Sequence, residues 1–161
     1  MPNRDRVIVA VVFLAAIGRG LAGGVFYAFS SFVMAALGRL PPAHGASAMN
    51  EINVTVINLS FMTVFMGTTI ACLGLLGGWY FWRGTISGRL ILAASLVYLI
   101  GSFGVTMAGN VPLNNELAAA TPAQQAAVWT RFLDHWTVWN HVRTAASTLS
   151  AALFTAALIL A

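Results

Sequence analysis

The chain has no lysine, one cysteine and only four acidic residues in 161 positions. Charged residues make up 7% of it, against about 25% in an ordinary soluble domain. That is too little charge to cover a water-facing surface. The lone cysteine, Cys72, excludes a disulfide framework or a thiolate metal site within one chain. Every basic residue is arginine and the net charge is +4. No basic cluster with interleaved aromatics stands outside the apolar runs, so nucleic acid is excluded as a partner and the charge is read as topology. The one glycine fingerprint, Gly18-Arg19-Gly20-Leu21-Ala22-Gly23, lies inside an apolar run. With no strand before it and no helix start within it, it is not a dinucleotide site.

What is present is apolar length. Hydrophobic residues reach 59%, in four runs covering residues 7–37, 52–82, 90–108 and 142–161. Each meets or exceeds the ~20 residues that cross a bilayer. The sequence predicts an all-α integral membrane four-helix bundle in a single domain, 1–161, with spans over roughly 7–37, 47–82, 88–108 and 122–161. Residues 1–17 imitate a signal peptide, but the apolar run continues to Leu37, beyond a signal h-region, and reads as a retained span. Helices 2 and 4 are expected to extend past the bilayer on the extracytoplasmic side. Thr121, Pro122 and Gln124 supply a capping-box start for a fourth helix that has neither Gly nor Pro from Ala123 onward. Arg4, Arg6, Arg83 and Arg89 place both termini and the second connection in the cytoplasm, in what is expected to be a bacterial plasma membrane. Small residues at Gly20, Gly24 and Ala28, and again at Gly74 and Gly78, form stripes suited to close helix packing, within the bundle or in an oligomer.

The polar residues gather at one end. His135, Trp139 and Arg143 recur at four-residue spacing, with Asn140 beside them. A planar cation and an amide among aromatic rings suit a flat anionic aromatic molecule. The bland alternative is an interfacial belt formed by Trp129, Trp136 and Trp139. Glu51, Thr55 and Asn58 share a face on the second helix, with Asn50 and Asn53 alongside; interhelical hydrogen bonding would account for them equally. Asn110 and Asn114 flank Pro112. Arg19, near the middle of the first span, is costly there; it is either functional or one half of a pair, or else faces the bundle and binds backbone carbonyls or snorkels. His44, His135 and His141 match no local metal-ligand motif, and convergence with a glutamate stays open.

Met49-Asn50-Glu51-Ile52-Asn53, Asn58 with Phe61, Asn110-Val111-Pro112-Leu113-Asn114, and Trp136 with Asn140 and Arg143 resemble the anthrone oxygenase family of small membrane proteins. Gly24-Val25-Phe26-Tyr27-Ala28-Phe29 fits the same pattern. The chain departs from it at Asn50, Leu59 and Arg19. The resemblance implies an oxygenase that oxidises an electron-rich polycyclic phenol with O2 as co-substrate and no bound cofactor. On that reading His135 or Glu51 removes a proton, and Arg143, Asn140, Asn114 and Asn53 stabilise the anion. Asn58, Asn110, Trp136 and Trp139 complete the substrate site. The rival expectation is a small-molecule-binding or accessory membrane protein that uses the same amides without catalysis.

Overall fold

The computed structural model describes residues 3–161, with side chains from residue 6 onward; the side chain of Arg4 lies outside the described residues. Among these residues there is helix and no strand. Four segments are long and apolar enough to cross a membrane: Arg6–Leu37, Leu59–Gly77, Ile86–Ala119 and Gln125–Ile159. The protein is a four-helix integral membrane bundle.

The first span is α1 (Asn3–Ala28), a π-helical turn (Phe29–Val33) and α2 (Met34–Leu37). The second is not the continuous helix that its composition suggests. It divides into α3 (Pro42–Thr55) and α4 (Leu59–Gly77). Asn58 makes the break. Its backbone is extended, its Oδ1 accepts from the Phe61 amide at 3.0 Å, and its Nδ2 donates to the Thr55 carbonyl at 2.9 Å. One side chain thus satisfies orphan groups of both helix ends. The single extended second helix is corrected to two helices. The third span runs on to Ala119, past the expected end at 108. It consists of α5 (Ile86–Tyr98), π-helical stretches Leu99–Gly104 and Thr106–Asn110, and α6 (Val111–Ala119), with Pro112 in the first turn of α6. The fourth is α7 (Gln125–Ile159), unbroken over 35 residues, or about 52 Å at the usual rise. At its start the Thr121 amide and hydroxyl both donate to Gln124 Oε1, the reach-back half of the anticipated capping box.

Two cores result. One lies along the membrane spans, with Val12, Phe26, Phe65, Cys72, Leu75, Tyr98 and Phe154. The other joins α3, α6 and the first half of α7 through Met34, Met49, Leu117, Trp129, Phe132 and Trp136. Trp129 and Trp136 are therefore core residues, not members of an interfacial belt. Gly45 is required there, because a Cβ would stand 2.6 Å from the Trp129 ring. Within the first span Gly18 packs against Thr68 and Gly23 against Ser147, with Ala15 and Ala22 buried. The expected stripe of Gly20 and Gly24, like Gly74, instead faces outward with nothing near it.

Candidate functional site

The cavity lies where the two cores meet. It measures about 410 Å3, within the range of small-molecule sites. Its walls come from all four spans and from α3: Phe26 and Phe29, Met49 and Asn53, Phe61 and Phe65, Phe103 with Thr106 and Asn110, and Asn114, Trp136 and Arg143. Several of these sit in π-helical turns: Phe29 in the first span, and Phe103, Thr106 and Asn110 in the third. A π turn inserts an extra residue and redirects side chains, a device frequent at functional sites. Here it bends two spans around one space.

Arg143 is the only ionisable side chain in that lining. It is 6% exposed. Its Nη2 donates to Asn140 Oδ1 at 2.7 Å and its Nη1 contacts Thr106 Oγ1 at 3.4 Å. Its Nε has no hydrogen-bond partner. The guanidinium carbon stands 4.4 Å from the Phe26 ring centre and 5.0 Å from that of Trp136. No carboxylate neutralises it; among the described residues the one ion pair is Arg131 with Glu116, both well exposed. An amide oxygen, a hydroxyl and two ring faces hold the cation in place.

Asn140 aims this arginine. It is fully buried, and its Nδ2 donates to the Phe26 carbonyl at 2.7 Å and to Ser30 Oγ at 2.8 Å. That leaves Oδ1 for the guanidinium. Trp136 is fixed in the same manner. Its indole N–H donates to Asn114 Oδ1 at 2.8 Å, its carbonyl accepts from Asn110 Nδ2 at 3.3 Å, and its ring packs against Phe132 and Phe29. Besides Arg143 Nε, two buried polar atoms of lining residues stay without a partner, Asn110 Oδ1 and Asn53 Nδ2. The cavity is thus apolar overall, and these three polar atoms of its lining residues are buried without a hydrogen-bond partner.

The structure brings Arg143, Asn114, Asn53, Asn110 and Trp136 into one wall, with Asn140 directly behind it. Four other candidates stand apart. His135 is exposed, and its Nδ1 faces the Arg131 carbonyl. Glu51 is exposed and outside the lining. Asn58 is the helix cap, and Trp139 lies over Gly109, half in the open. The face that carries Arg143 is Trp136, Asn140, Arg143 and Ser147, not His135 and Trp139. At about 100° per residue, His135 falls roughly 80° from Arg143 and Trp136 only about 20°. The residues that sequence reasoning missed are the apolar walls, chiefly Phe65, Phe103 and the methionines. In a membrane sequence these look like any lipid-facing residue. Among the described residues, no three His, Cys, Asp or Glu side chains converge as metal ligands.

A second buried arginine lies deeper. Arg19 is 0% exposed, all three of its guanidinium nitrogens lack a hydrogen-bond partner, and it sits 3.3 Å over the Tyr98 ring centre. Tyr98 donates to the Phe65 carbonyl at 3.0 Å and meets the Phe65 ring edge-on, and Phe65 meets Phe26 edge-on. An aromatic ladder therefore connects the two arginines past the cavity wall.

The sequence model of the anthrone oxygenase family matches residues 61–153, more than half of the chain, and the chain belongs to that family. No curated protein and no solved structure gives a match.

Asn140→Leu, similar in size, removes the only strong hydrogen bond to Arg143 and strands the Phe26 carbonyl. It is expected to cost about 2 kcal/mol or more, since each abandoned buried group forfeits its desolvation. Thermal unfolding in detergent measures this. Asn140→Asp should recover much of the loss if the contact to Arg143 dominates, whereas equal damage from both would assign Asn140 to packing alone.

Proposed function

We propose that this member of the anthrone oxygenase family binds a flat polycyclic phenol in the cavity beside Arg143, and oxidises it with O2 through its anion. One observation carries the reading: a buried guanidinium without a carboxylate partner faces an aromatic-walled cavity and keeps a free donor. A ligand that supplies an anionic oxygen there gains a charge-assisted hydrogen bond at low dielectric. A ligand hydroxyl would satisfy Asn110 Oδ1, and the phenylalanines would sandwich the rings.

Anthrone serves as the model substrate. Its methylene is acidic because loss of one proton gives an aromatic enolate. Arg143 and Asn53 stabilise the enolate oxygen, which raises the anion's population. The carbanion end transfers electrons to O2 and forms a C–O bond, giving a hydroperoxide after protonation. Loss of the second C–H proton with O–O cleavage then yields the quinone and one water. The balance is anthrone plus O2 to anthraquinone plus water, with no external reductant. The protein's part is positioning and electrostatic stabilisation, and no chemistry in this sequence requires a bound cofactor. No lining residue is a base, so the first proton passes to water, and neither His135 nor Glu51 takes it. The same lack of a base favours a second reading, a non-catalytic carrier of phenolic anions.

Oxygen uptake separates the two. Purified protein given anthrone should consume O2 and release anthraquinone in equal amounts, faster than the spontaneous reaction, without added nicotinamide or flavin. Arg143→Lys should lower the rate at least about tenfold, because an ammonium cannot hold Asn140 and still present the planar fork. His135→Ala should stay within about twofold. Binding of anthrone without uptake above the spontaneous rate, with copper or iron also supplied, would leave the carrier.

The arginine bias supports an orientation in a bacterial plasma membrane with both termini and residues 83–89 cytoplasmic, and with Asn114 and the cavity towards the extracytoplasmic side. In a Cys72→Ser background an impermeant thiol reagent on intact cells should label Asn115→Cys and not Gly84→Cys. The opposite pattern would invert the assignment.

A further inference from the structure

The residues that line the cavity range from fully buried to exposed. Its polar residues Arg143 and Asn110 are buried, 6% and 1% exposed. Other lining residues are at once cavity wall and outer surface of the bundle: Ile57 is 71% and Met107 52% exposed, and Met66 and Val25 are exposed too. Met66 lies seven residues beyond the start of α4 at Leu59. That is about 10 Å along the helix axis, inside a membrane span. Met107 stands on the π-helical stretch of the third span, which is not among the principal packing partners of α4; those are α1 and α5. Apolar residues that face outward thus form part of the cavity wall, and two of them, Met66 and Met107, have freely turning, unbranched stems.

We propose that the ligand reaches Arg143 sideways from the bilayer, through a window between α4 and the third span framed by Met66 and Met107. The ligand class follows: a membrane-dissolved polycyclic aromatic whose one acidic oxygen travels inward to the arginine while its ring edge stays toward the lipid. This rests on the cavity being the ligand site. A water-side approach would bring an apolar polycycle through a phase that holds little of it, whereas the hydrocarbon concentrates it. Graded polarity also orients it, because apolar wall is met first and the guanidinium last. The break at Asn58 bears on the same window, since it ends α3 beside the cavity and lets α4 start independently.

The test uses the full chain in phosphatidylcholine liposomes, with 1,8-dihydroxyanthraquinone as probe and quenching of tryptophan fluorescence in a stopped-flow instrument as readout. At fixed total probe, the association rate should fall as lipid is added, in proportion to the probe's mole fraction in the bilayer. Met107→Phe together with Met66→Phe should slow association and dissociation alike, several-fold, because a gate changes rates more than equilibrium. Met107→Ala should speed both. Opposite signs from enlarging and from shrinking side chains of the same window cannot come from misfolding. A rate that ignores the amount of lipid, or that neither variant moves, would overturn the lateral window while leaving the cavity as binding site. Wild-type protein that never quenches, although anthrone is still turned over, would mean the probe binds elsewhere and would also overturn it. Absence of both binding and turnover would remove the functional reading beneath.

Discussion

A guanidinium deep in a membrane protein with no carboxylate to meet it is the constraint on which the rest of this structure depends. An unpaired charge in low dielectric is expensive, so the fold surrounds Arg143 with whatever partial charge it can gather. Asn140 supplies an amide oxygen, Thr106 a hydroxyl, and Phe26 and Trp136 the negative faces of their rings. Each of these is in turn held. Asn140 is pinned by the Phe26 carbonyl and Ser30, and Trp136 by Asn114. Asn140, Thr106, Ser30 and Asn114 thus form one support for one cation. Its Nε alone is left without a hydrogen-bond partner.

The same logic explains why the bundle is irregular where it is. A membrane and an outer core are separately well packed, and regular helices through both would close the space between them. The π turns in the first and third spans and the break at Asn58 in the second occur at that junction. Only α7 passes it unbroken, and it is the helix that carries Arg143. The irregular spans supply walls around a straight post. Arg19, stacked on Tyr98 and joined through Phe65 to the cavity wall, adds a second uncompensated positive charge to the bundle interior.

Apolar length was enough to read four spans from the sequence, because the bilayer leaves a chain so poor in charge no other use for them. The second helix was misread because Val56-Ile57-Asn58-Leu59 contains no Gly or Pro; a capping asparagine among apolar residues looks the same as a buried one. The π turns are invisible to any pattern that assumes 3.6 residues per turn. A fixed step of four, in place of the 3.6 period, spoiled the choice of face on α7. Steps of four from His135 drift around the helix, whereas the alternating fours and threes of Trp136, Asn140, Arg143 and Ser147 stay on the buried stripe. The amides and Arg143 were legible as unusual residues for a membrane span. The phenylalanine and methionine walls were not, since apolar residues in such a chain carry no mark of which side they face.

The central claim is that Arg143 binds an anionic oxygen on an aromatic ring, and the ionisation of a bound phenol tests it most directly. Hydroxyanthraquinones change their visible absorption when a hydroxyl loses its proton. A pH titration of 1-hydroxyanthraquinone bound to the protein should show ionisation at lower pH than for the free dye in the same detergent, because the cation favours the charged form. In Arg143→Met the displacement should vanish or reverse, since burial alone opposes ionisation. A bound dye that ionises at the same or higher pH in the wild-type protein would contradict the account.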